Sequence, residues 1–76
     1  MVKKTLAQYL PGQYAQIVSV AEHAMGAKLI EMGFYPGKRV QVLFRAPFRG
    51  PFAIDAGGAV LSLREDEASL IETIDC

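Results

Sequence analysis

The sequence predicts one small, mainly β domain with a single short helix, arranged as a five-stranded, partly open barrel. Three observations point that way. The chain has 76 residues, which leaves room for one domain over 1–76 and no more. Apolar residues alternate over short runs that are punctuated by Pro-Gly and Gly-Gly turns. One stretch alone, 22–32, switches to the helical period. The balance of 51% hydrophobic to 21% charged residues is that of a globular core rather than a disordered chain. The single cysteine, Cys76, rules out a disulfide framework. So short a β chain protects its edges best by curling the sheet on itself.

Each element has a local cause. Thr5 is suited to cap a single turn over Leu6–Tyr9, which Pro11-Gly12 ends. Tyr14–Val20 is rich in β-branched residues and forms the first strand, with the adjacent pair Ile17-Val18 marking a bulge or burial on both faces. Glu22–Met32 forms the helix, where Met25, Leu29 and Met32 make an apolar stripe. Gly26 within it costs about 1 kcal/mol relative to alanine and predicts a frayed first turn. Gly33 fits the left-handed residue after a helix end, Phe34 the apolar residue that follows, and Tyr35-Pro36-Gly37-Lys38 a type II turn.

Lys38–Arg45 reads as the second strand, with Val40, Val42 and Phe44 on one face. Two prolines and a glycine make 46–51 a loop. Phe52–Ala56, the Gly57-Gly58 turn and Ala59–Arg64 form a hairpin. Glu65–Ala68 is a short helical turn whose acids suit its N-terminus, and Ser69–Ile74 is the fifth strand.

Charge and motif content exclude several functions. Eight basic and eight acidic residues cancel, and no cluster of Lys and Arg exists to neutralise phosphates, so nucleic acid is not the expected partner. No stretch has the roughly 20 apolar residues of a membrane span. With no leader pattern, the expected location is the cytoplasm. Gly33–Lys38 reads GFYPGK, but it is one residue short of a phosphate-binding loop, has Arg39 where Ser or Thr belongs, and follows a helix instead of a strand. One histidine and one thiol are too few for an ordinary Fe(II) or nucleophilic site, so no metal, cofactor or catalytic group is expected.

The ordered set Pro11-Gly12, Ile17-Val18, Leu29-Ile30-Glu31-Met32-Gly33-Phe34 and Pro36-Gly37 resembles the opening half of the FeoA family. Val40-Gln41-Val42-Leu43 with Ala46-Pro47 and Gly50-Pro51 is similar to its central hairpin, and Leu63-Arg64, Glu67-Ala68 and Ile71 to its closing strand. The resemblance covers about Leu6 to Ile74. It implies an SH3-like barrel that acts as a cytoplasmic, non-enzymatic accessory of ferrous iron uptake and binds the cytosolic part of the FeoB-type Fe(II) transporter. The same domain occurs in iron-dependent repressors of the DtxR type, which implies a metal-sensing regulatory module as the alternative.

The residues themselves also favour binding by contact. Four Phe and three Tyr exceed what so small a barrel can bury, and rings left exposed beside Arg are typical interface anchors. The expected docking surface comprises Met25 and Leu29 on the helix, Phe34 and Tyr35 after it, and Arg45, Phe48 and Arg49 around the proline-rich loop. There Arg45 and Arg49 are placed to pair with carboxylates of a partner. Weak self-association through exposed helix residues is the other use open to this surface.

Overall fold

The computed structural model describes residues 3–76. Its strands are β1 (Lys3–Thr5), β2 (Tyr14–Val20), β3 (Arg39–Arg45), β4 (Phe52–Ala56), β5 (Ala59–Leu63) and β6 (Ile71–Asp75). A 3-10 turn covers Leu6–Gln8, helix α1 covers Ala24–Met32 and helix α2 covers Glu65–Ala68. All pairings are antiparallel, in the order β1-β6-β2-β3-β4-β5. Among the described residues no ladder joins β1 to β5, so the sheet they form is open. Its extents of 28 × 27 × 23 Å require strong curling, which wraps the strands around Leu6, Ile17, Leu29, Phe34, Val42, Phe52, Ile54, Leu63 and Ile71.

Six strands replace the five expected. The additional one, β1, is a three-residue polar segment with no apolar period to announce it. It is held by a partner at the far end of the chain, with Lys4 opposite Thr73. The buried Thr73 hydroxyl donates to the Lys4 carbonyl at 2.8 Å and lies 3.1 Å from the Tyr9 hydroxyl. Burial pushes the Tyr9 phenol up from its ordinary value.

Two bulges shape the sheet. Ile17 pairs with Thr73 and Ser19 with Glu72, which leaves Val18 as the extra residue expected from the Ile17-Val18 pair. A second bulge falls between Val42 and Phe44. It corrects the expected face of β3: Val40 and Val42 point inward, whereas Phe44 is turned outward and is 57% exposed.

Helix α1 begins at Ala24 rather than Glu22, where the Nδ1 of His23 accepts the Met25 N–H at 3.1 Å. That contact satisfies one of the donors a helix start leaves unpaired. The inward face is Gly26 and Leu29, while Met25 is half-buried and Met32 exposed. Gly33 closes the helix with φ 116°, and the Phe34 N–H returns to the Leu29 carbonyl at 3.0 Å. The Lys38 N–H then reaches the Tyr35 carbonyl at 3.1 Å, which forms the expected turn.

Gly26 is no weakness of the helix. A Cβ there would overlap the Ala21 carbonyl oxygen and crowd Val20 Cγ1 at 3.3 Å. In an isolated helix Gly→Ala gains about 1 kcal/mol. Here Gly26→Ala is expected to lose about 1–3 kcal/mol, because overpacking must push α1 away from the end of β2. Urea denaturation checks it; an unchanged or raised midpoint would show that this junction yields freely.

Candidate docking site

The β3–β4 connection is short and tightly bonded. The Ala46 N–H donates to the Pro51 carbonyl at 3.0 Å, and the Gly50 N–H lies 3.1 Å from the Pro47 carbonyl and 3.2 Å from that of Ala46. Phe48 and Arg49, between them, have φ of 59° and 58°. Two successive left-handed residues and a closing bond are the pattern of a type I′ turn, where Asn and Gly are the usual occupants. Left-handed backbone costs an ordinary L-residue about 1–2 kcal/mol. Phe48 gains nothing in return from packing, since it is 102% exposed.

The adjacent arginines secure this turn. Arg49 makes a bidentate pair with Glu65 at the start of α2, with Nε 3.1 Å from Oε2 and Nη2 2.6 Å from Oε1. Arg45 donates from Nε to the Gly50 carbonyl at 3.3 Å, and its guanidinium lies 4.4 Å from the Phe52 ring centre. Its buried Nη2 is 3.3 Å from Glu65 Oε1 but lacks hydrogen-bond alignment, so that contact is an ion pair only. Arg45 and Arg49 were expected to offer their charge to a partner. Instead the fold brings them to a carboxylate of the chain itself.

The hydrogen bond from Arg49, helped by Arg45, holds the Glu65 carboxyl below its ordinary value. A lowered folded value means the tie is fully present above the unfolded value, about 4.3, and is lost as pH falls through the folded one. Acidification through the lowered folded value is therefore expected to release the loop, and Glu65→Gln to release it already at neutral pH. Amide NMR shifts of Phe48–Gly50 report this; identical shifts in Glu65→Gln and wild type would dissociate the loop from Glu65.

The other predicted residues are dispersed. Leu29 and Phe34 are 1% and 0% exposed and belong to the core, which removes them from any outer contact surface. Tyr35 is half-exposed, with Lys38 Nζ 5.5 Å from its ring centre. Met25 lies in the first turn of α1 and Tyr35 beyond its end, separated by roughly 10 Å of helix at 1.5 Å per residue. Exposed Phe44, Val60, Ile30 and Leu10 did not figure in the expected surface. Phe44 had a signal, because the adjacent pair Leu43-Phe44 breaks alternation as Ile17-Val18 does.

Elsewhere a shallow cleft of ≈ 170 Å³ lies among Tyr14, Arg39, Gln41, Asp55 and Gly57, with the Arg39 guanidinium stacked 4.2 Å from the Tyr14 ring. Among the described residues no three His, Cys, Asp or Glu side chains gather in a group that would hold a metal ion. No described helix is long and apolar enough to cross a membrane.

The FeoA domain profile matches residues 4–73. Among curated proteins no sequence matches. Among solved structures, the chain is similar to an iron uptake regulatory protein, FeoA, with 26% identity, a TM-score of 0.88 and all of both chains covered. It is also similar to FeoA of Stenotrophomonas maltophilia, solved in complex with zinc and described as a prokaryotic SH3 domain protein and candidate ferrous iron transport activating factor. That similarity has 29% identity and a TM-score of 0.73 over 92% of this chain and 88% of that one. A manganese-dependent transcriptional repressor has the same fold at 18% identity and a TM-score of 0.89, with all of this chain covering 42% of the repressor.

Proposed function

Because the chain belongs to the FeoA family of ferrous iron transport accessory factors, we propose that it is a non-enzymatic cytoplasmic adaptor that docks on the cytosolic part of an FeoB-type Fe(II) transporter. The observation that carries this reading is Phe48, an aromatic ring fully in solvent on a turn whose backbone is held in an unfavourable conformation. Strain of that kind persists only where surrounding structure enforces it, and it concentrates at sites of recognition. The Glu65 tie keeps the ring presented before any partner arrives, so little ordering remains for binding to accomplish. Met25 and Tyr35, towards opposite ends of α1, are the other predicted contact residues left at least partly exposed. Docking changes transport or GTP turnover only to the extent that one transporter conformation binds better than another.

A pulldown with the transporter's cytosolic domain tests the proposal. Wild type is expected to be retained and Met25→Asp retained less; no retention of wild type would sink it. A metal-sensing module is the second reading, favoured by the likeness to the manganese-dependent repressor and by the zinc complex of the S. maltophilia protein. The donor chemistry weighs against it, since His23 Nδ1 already serves as a helix cap. Equilibrium dialysis with Fe(II) or Mn(II) separates the two, with stoichiometric micromolar binding favouring the sensor.

A further inference from the structure

We propose that β5 pairs antiparallel with β5 of a second copy of this chain, across a two-fold axis at Leu61. Among the described residues β5 is an edge strand, bonded to β4 and to no other strand. Its sequence, Ala-Val-Leu-Ser-Leu, contains no charge and no proline, the devices that normally keep an edge from pairing. The opposite edge, β1, carries two lysines in three residues.

Backbone direction follows from the hairpin. Gly57 and Gly58, with φ of 73° and 96°, form a two-residue turn, so the flanking pair Ala56–Ala59 is hydrogen-bonded. Bonded and non-bonded pairs alternate along the ladder. Leu61 and Leu63 therefore bond to Ile54 and Phe52, while Val60 and Ser62 turn their N–H and C=O groups to the open side. Both ends of that side are already closed. The Gly58 N–H donates to Asp55 Oδ1 at 2.8 Å and the Arg64 N–H to Glu67 Oε1 at 2.8 Å. The Arg64 carbonyl accepts from the Ala68 N–H at 2.9 Å. Among the described residues no hydrogen bond outside the β4 ladder reaches the main chain of Val60 or Ser62.

This opening is self-complementary. Two free residues on either side of Leu61 let Val60 of each copy exchange both hydrogen bonds with Ser62 of the other, four in all. Charge agrees with the same register. Arg64 would lie opposite Gly58 of the second copy, across a turn without side chains from the Asp55 carboxylate. Arg64 is exposed and has no ion pair among the described residues. The two-fold axis would thus create two Arg64–Asp55 pairs of opposite sign, whereas a parallel register would not. The contact is small, a strand of five residues or about 17 Å, well below a standard interface. Association is expected at roughly 0.1–1 mM.

Sedimentation of the full chain and amide exchange by NMR, both as functions of concentration up to about 1 mM, test the pairing. The expected result is a dimer that grows with concentration while exchange at Val60 and Ser62 slows severalfold and exchange at Leu61 does not change. Val60→Lys and Ser62→Pro should each remain monomeric, and Arg64→Glu should weaken the dimer severalfold. The Ser62 N–H faces away from β4, so proline is tolerated at this edge; Val60→Lys serves if Ser62→Pro does not fold. A monomer throughout would overturn the proposal. So would a dimer that survives both edge substitutions or leaves Val60 and Ser62 exchange unchanged. Protection of those two amides by the transporter domain, without self-association, would give the edge to another occupant and overturn it equally.

Discussion

Phe34→Ala is expected to remove about 3–5 kcal/mol, a large share of all the stability that so small a domain has. The ring is fully buried, and its own N–H closes the end of α1 on the Leu29 carbonyl. Truncating a buried Phe costs about 3–5 kcal/mol, while a domain of this size has on the order of 4–11 kcal/mol in all. Far-UV circular dichroism and a urea titration measure it. A variant of unchanged urea midpoint that had merely lost its partner would restore Phe34 to the outer surface and contradict its placement in the core.

Phe48→Gly is expected to have the reverse profile. Glycine accepts positive φ without cost, so relief of the left-handed strain should raise stability by about 1 kcal/mol. Docking should fall at least about 30-fold, the effect of removing an aromatic anchor worth 2 kcal/mol or more. Measuring both quantities on one protein separates fold from recognition, which a single binding assay does not. A destabilised variant would mean that the ring packs against its own domain. Undiminished affinity for the transporter domain would take the loop out of the docking surface.

Local chemistry made much of this fold legible. Gly33-Phe34 and Pro36-Gly37 specify the end of α1 and the following turn through neighbouring residues alone, and each sits where the sequence places it. The adjacent pair Ile17-Val18 points to a bulge or to burial on both faces, and the structure has the bulge. What escaped depends on distant parts of the chain. Lys3–Thr5 is a strand only because β6 offers it a ladder, with Lys4 and Thr73 separated by 69 positions. Gly26 is suitable only because the chain entering α1 passes so close that a methyl group does not fit. The site shows the same division. Aromatic excess and a proline-rich loop lead to the expectation of an exposed ring at Phe48, and the ring is exposed; the pairing of Arg45 and Arg49 with Glu65 is not legible, because Glu65 reaches them only after β4 and β5 have turned back.

The position of β6 also constrains how the molecule forms. It is the last strand in chain order, yet it lies between β1 and β2, near the start. Until it arrives, β1 has no neighbour and β2 lacks one of its two, so a nascent chain cannot complete the sheet before residues 71–75 have left the ribosome. The β3–β4–β5 meander is local and can assemble early, whereas docking of β6 must close a loop of nearly the whole chain and is the slow, entropically costly event. Shortening the chain by those five residues should abolish cooperative folding altogether rather than trim one edge from an otherwise intact barrel.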